Sequence, residues 1–146
     1  MDNYNLITAT TDWYLNLVKD DPVRPHLPAA WRIQNGRSVY VLENPDTGMP
    51  ASVVCVALTQ GVALTEEDLE RTHHPDTAMF YTVWSYERGA GRAIIFRVRD
   101  TLLETHPHIT RFVTLSPLTE MAEQFHTRNG AVLIERGTTC QNFEYA

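Results

Sequence analysis

The sequence has little cysteine, no long apolar run and too little positive charge for a polyanionic partner, and each shortage closes off a class of protein. Cys55 and Cys140 are the only cysteines and have no C-x-x-C spacing. Neither a disulfide framework nor a thiolate metal cage is therefore expected, and both are read as free thiols of a reducing cytoplasm. The longest clean apolar run, ASVVCVAL at 51–58, is far shorter than the ~20 residues a membrane-spanning helix needs. The opening MDNYNLITATTDW lacks the basic-then-apolar order of a secretory signal. With 12 Lys and Arg against 18 Asp and Glu, the formal charge is -6, so a basic face for neutralising nucleic-acid phosphates is not supplied. The histidine pairs His73-His74 and His106-x-His108 have no third ligand placed by spacing, and no metal site is expected. There is no repeat and no low-complexity tract, and the one linker-like stretch is DDPVRPHLP at 20–28. The 146 residues are read as one domain, 1–146, large enough to bury a core without a cofactor.

What is present is an alternation of helical and extended patterns. TTDWYLNLVK places Tyr14, Leu17 and Val18 at helical spacing behind a Thr/Asp start. SVYVLE and ASVVCVALT, joined by NPDTGMP, predict an antiparallel hairpin. TEEDLERTH, with Thr65 three residues ahead of Asp68, predicts a second short helix. TAMFYTVWS is apolar enough throughout to be a central strand. After a glycine-bearing break, Ile94, Ile95, Val98 and Leu102 form one stripe of a longer helix stopped at His106-Pro107. ITRFVTL predicts another strand. In SPLTEMAEQFHTRNG, Leu118, Met121, Ala122 and Phe125 keep helical spacing, with Ser116 as cap, Pro117 in the first position and Asn129-Gly130 as the stop. AVLIE and QNFEYA close the chain as a strand pair around RGTTC.

The break before the long helix reads ERGAGRA. Glycine there permits positive φ and close approach of backbone amides, and the first turn of the helix turns unpaired N–H groups toward an anion. Arg88 and Arg92 can add charge-assisted hydrogen bonds. Arg88-x-x-Gly91-x-Ala93 is similar to the R/Q-x-x-G-x-G/A loop of the GNAT acetyltransferase superfamily, which cradles the pyrophosphate of coenzyme A. The element order also resembles that fold. The resemblance implies an α+β domain: a mixed, mostly antiparallel sheet with helices on both faces and a splayed central strand pair. The implied coenzyme A contacts are Arg88, Gly89, Ala90, Gly91, Arg92 and Ala93, with Tyr81, Thr82 and Val83 along the strand.

Within that superfamily, VCVALT, AMFYT, HPHITRFVTLSP, FHTRNGAVL and NFEY occur in the order seen in the catalytic domain of malonyl-CoA decarboxylases. The resemblance covers roughly 36–146, with T-L-S-P and F-H-x-x-N-G-A as its specific signatures. It lacks that family's N-terminal helical domain and its long insertion between S-P and F-H. It implies that Ser116 and His126 form a catalytic pair, with Tyr145 as a secondary candidate, acting on an acyl-CoA without a metal. Backbone N–H groups along Phe80–Trp84 would hold the thioester oxygen. His126, at a helix C-terminus, is expected to keep a useful protonated fraction at neutral pH and to give its proton to the enolate carbon. The same position suits the acid of an acyltransferase, which would add an amine acceptor. A chain that binds coenzyme A or a partner without turnover is the third reading, and a second copy of the chain, as a homodimer, completes the partners considered.

Overall fold

The computed structural model describes residues 3–146. Its centre is the hairpin expected at 38–59. Strand β2 (Arg37–Asn44) and strand β3 (Met49–Thr59) pair antiparallel from Arg37↔Ala57 to Asn44↔Met49. β3 pairs in turn with β4 (Thr77–Ser85). A strand not expected from the sequence, β1 (Asn5–Thr8), adds to the outer edge of β2. On the other side β4 runs parallel to β5 (Arg111–Thr114), which is antiparallel to β8 (Cys140–Tyr145). Strand β6 (Ser116–Pro117) and strand β7 (Val132–Arg136) both pair with β8. The described residues thus form one mixed, mostly antiparallel, eight-stranded sheet.

Between them, short helix α1 (Asp12–Leu15) runs on into a 3-10 turn at Asn16–Asp20, where one helix was expected. TEEDLERTH forms only a 3-10 turn, Glu67–Glu70, although Thr65 Oγ1 does accept a hydrogen bond from the Asp68 amide. Helix α2 (Ala90–Thr105) buries the expected stripe, Ile94, Ile95, Val98 and Leu102. It covers one face of the sheet with Val54, Val56, Phe80, Phe112 and Phe143 beneath it. The opposite face, with Val39, Val53, Cys55, Met79, Tyr81 and Leu115, is covered by the chain between β1 and β2. Both cysteines are buried free thiols. No helix among the described residues is long and apolar enough to cross a membrane.

Helix α3 (Glu120–Arg128) starts later than its pattern suggested. Ser116 and Pro117 pair with Gln141 and Cys140 as strand, and Thr119 is the cap, its hydroxyl accepting from the Ala122 amide at 3.2 Å. A tertiary strand pairing outweighs the local Ser-Pro signal, because it satisfies backbone groups on two segments at once. The proposed apolar stripe fails with it: Leu118 and Met121 are exposed. The stop at Asn129-Gly130 is as expected, with Gly130 at φ +95° and the Ala131 amide donating back to the His126 carbonyl.

The segment that looked like a linker is the most densely bonded polar part of the molecule. Asp21 Oδ1 accepts from the amides of Val23 and Arg24 and from the Thr82 hydroxyl, and Oδ2 accepts from Arg32 Nη1 at 2.8 Å. Arg32 also donates to the carbonyls of Leu27 and Arg24. Both side chains of the Asp21–Arg32 pair are fully buried. Burial alone would raise the Asp21 carboxyl, but these donors together hold it below the ordinary aspartate value.

Candidate active site at a strand fork

The pairing of β4 with β5 stops at Phe80↔Thr114, after a last bond from the Leu115 amide to the Phe80 carbonyl. Beyond that point β4 continues to Ser85 while the other chain turns to β8 through Ser116, so the two strands fork. A bulge lies at the fork: Cys55 faces Thr82 and Val56 faces Phe80, which leaves Tyr81 without a register partner on β3. The extra residue puts two consecutive side chains on the face opposite α2. Tyr81 packs edge-on to Trp31 and Thr82 bonds Asp21, while Val83 returns to the α2 side. The Tyr81 side chain is therefore core, its phenol raised by burial, and what it offers the fork is its backbone.

Four of the residues singled out by sequence meet on the α2 face. Gly89 holds φ +82° just ahead of α2, a conformation open to glycine and strained for other residues. The amides of Gly91 and Arg92, in the first turn of α2, find no backbone acceptor, which is the donor arrangement an anion fits. Arg88 is exposed and makes no hydrogen bond or ion pair among the described residues. Gly91 also has a packing role: a Cβ there would lie 3.3 Å from the Phe125 ring, so the glycine admits α3 against α2. That contact sets the first turn of α2 against α3 at Phe125, the neighbour of His126. Ala90 is buried and Ala93 half-buried along the same turn. Arg92 points away from the turn, over the Phe96 ring and toward Asn129 Oδ1 at 3.4 Å.

His126 is buried in the last turn of α3, stacked on Phe143, with Nδ1 2.7 Å from the Tyr145 hydroxyl. No described residue hydrogen-bonds Nε2. The helix end was expected to favour the imidazolium. Burial wins instead and pushes His126 down from 6.5 to about 4, because a helix C-terminus supplies at most ~2 kcal/mol while the shift corresponds to about 3 kcal/mol. Burial likewise raises Tyr145 to about 12. Both groups are neutral at pH 7 in the free protein.

Ser116 does not join His126 in a hydrogen-bonded pair. Its hydroxyl is 2.8 Å from that of Thr114, whose Oγ1 accepts from the Phe143 amide, and the Phe143 ring is what touches His126. The partner that sequence reading placed second, Tyr145, is the one bonded to the imidazole. The closing N-F-E-Y could have signalled it: alternate residues of a strand share a face, so Phe143 and Tyr145 together had to meet whatever packed there.

The buried neutral histidine has a consequence for stability. Its folded value of about 4 lies below the unfolded 6.5, so in that window the unfolded chain takes up a proton that the native state refuses. Stability should be full above pH ~6.5 and fall by about 3 kcal/mol as the pH drops toward ~4. Urea unfolding at several pH values checks this, and His126→Gln should flatten that part of the profile.

The fold that carries this forked sheet is matched across nearly the whole chain by solved acetyltransferases, among them one of the GNAT family from Listeria monocytogenes at a TM-score of 0.70 and 10% identity. A Bacillus subtilis acetyltransferase in complex with CoA aligns with a TM-score of 0.63 over 97% of this chain and 95% of its own, at 11% identity. The fold is GNAT. The aminoglycoside acetyltransferase AAC(6')-Ib, in complex with paromomycin and acetyl-CoA, aligns at a TM-score of 0.68, with 15% identity over 98% of this chain and 93% of its own. Malonyl-CoA decarboxylase from Agrobacterium vitis aligns at a TM-score of 0.68, with 24% identity over 84% of this chain. The present chain spans only 35% of the length of that decarboxylase. No protein-family profile and no curated protein matches the sequence.

Proposed function

We propose that this GNAT domain is an acyl-CoA enzyme of the decarboxylase type, and the observation that carries the reading is the buried His126–Tyr145 pair beside the forked strands. The diphosphate of coenzyme A would lie on the free amides of Gly91 and Arg92 with Arg88 over it, and the pantetheine arm would follow Tyr81–Val83 into the fork. In a malonyl-type thioester, breaking the bond to the carboxylate releases carbon dioxide and leaves its electron pair in the thioester enolate. Tyr145, donating to Nδ1, puts the imidazole proton on Nε2, where a neutral imidazole can hydrogen-bond the enolate oxygen. As Nε2 gives its proton to the enolate carbon, Nδ1 takes the proton of Tyr145, so that no imidazolate forms. Solvent then reprotonates Nε2 while Nδ1 returns its proton to the Tyr145 phenolate, which restores the starting tautomer. Ser116, with no bond to the imidazole, is left with orienting the substrate.

The test is incubation with malonyl-CoA. The lyase reading expects carbon dioxide and acetyl-CoA with no amine present. A second reading, acyl transfer, is supported by the near-complete length match to single-domain acetyltransferases, and it expects free CoA only when an amine is added. Absence of carbon dioxide from malonyl-CoA under all conditions would end the lyase reading.

A further inference from the structure

On the face opposite α2 the fork is spanned by one buried side chain from the proline-rich segment. Arg24, 3% exposed, donates through Nη1 to the Tyr81 carbonyl on the β4 lip. On the other lip its Nη2 lies 3.8 Å from Cys140 Sγ. Nε donates to Glu66 Oε2 at 3.1 Å, and the second Glu66 oxygen is met by exposed His26 at 2.8 Å. A guanidinium has more N–H groups than these partners use. A cavity of about 310 Å³ lies against it, lined by Val23, Arg24, Glu66, Pro117, Thr139 and Cys140. An acyl group that enters the fork from the α2 face would therefore meet a fixed cation with N–H groups to spare on the opposite face.

On the reading of the fork as an acyl-CoA site, we infer that Arg24 is the specificity-determining residue for the acyl group: it receives a carboxylate at the far end of the acyl chain, so the substrate class is the monothioester of a short dicarboxylic acid. Planar bidentate recognition of a carboxylate is what an arginine held in one orientation does well. Glu66 competes for the same guanidinium and sets how strongly the substrate is held.

Calorimetric affinities for malonyl-CoA, acetyl-CoA and CoA test this. The wild-type chain should prefer malonyl-CoA to acetyl-CoA by at least about tenfold, the scale of one charge-assisted contact. Arg24→Met should reduce the preference to within about twofold and leave CoA affinity unchanged, and a preserved preference overturns the assignment. Because Arg24→Met also removes buried bonds and could unfold the chain, Glu66→Gln gives an independent reading. Freed of its competitor, Arg24 should raise the malonyl preference several-fold, and an unchanged preference overturns the assignment. A wild-type chain that binds CoA with no preference for malonyl also overturns it, while one that binds none of the three refutes the acyl-CoA reading beneath it.

Discussion

Replacing Asp21 with alanine should destabilise the fold by about 3–5 kcal/mol, a large share of the roughly 5–15 kcal/mol that holds a typical domain folded. The carboxylate and the Arg32 guanidinium are both fully buried, so removing the anion strands a charge that has no water to turn to. The loss goes further than the pair. The amides of Val23 and Arg24 and the hydroxyl of Thr82 lose their acceptor in the same step, and a buried donor without a partner costs ~1–3 kcal/mol. Asp21→Asn should be milder, since an amide oxygen can still accept from some of these groups. Chemical denaturation, read by fluorescence of Trp31 and Trp84, measures both. A loss below about 1 kcal/mol for Asp21→Ala would mean that this network contributes nothing to holding the segment on the sheet. Thr82 ties the network to the bulge in β4, so the same variant should also loosen the fork.

The second large effect concerns turnover. His126→Ala should lower turnover of malonyl-CoA by about 10²–10⁴-fold, the usual range for removing a positioned proton-transfer group, with CoA affinity changed no more than a few-fold. The separation follows from placement: the groups proposed to hold the phosphates sit on α2 and its preceding turn, whereas His126 is carried by α3, whose Phe125 packs on Gly91. Tyr145→Phe should produce a smaller loss, since the imidazole keeps its place on Phe143 but loses the group that sets its tautomer and resupplies its proton. Because both groups are neutral in the free protein, the rate should not track titration of an imidazole near its ordinary 6.5. Steady-state kinetics from pH 5 to 9 distinguish this from a protonated catalyst, whose rate would fall as the pH rises through that value. Turnover by His126→Ala equal to that of the wild type would remove the histidine from the mechanism.

The parts of this arrangement that were legible in the sequence are those set by neighbours in the chain. The hairpin at 37–59, the stripe of α2 and the Asn129-Gly130 stop follow from alternation, 3.6-residue periodicity and turn chemistry. The rest depends on segments distant in sequence. Ser116-Pro117 is a good helix start in isolation, and only the returning strand at Gln141 and Cys140 makes it extended. The ionisation of His126 was misjudged for the same reason. Its helix end is local, but the Phe143 and Tyr145 rings that exclude water come from the last strand. β1 escaped notice because NLIT is too short to show a period. The proline-rich segment did carry a clue: Asp21, Arg24 and Arg32 stand where a flexible linker would have glycine and serine, and a chain stiffened by proline can hold charges in fixed places at a small entropic cost.

At the centre of this account is an acyl-CoA bound across the fork, its diphosphate on the turn before α2 and its thioester near His126. Amide and imidazole NMR shifts recorded while CoA is added to the labelled chain test it most directly. The account predicts the largest changes at Gly89–Arg92, Tyr81–Val83 and the His126 ring, with the apo imidazole neutral down to a pKa of about 4. Saturating CoA that leaves those resonances unmoved, or shifts only residues on the far side of the sheet around Asn35 and Glu70, would contradict it.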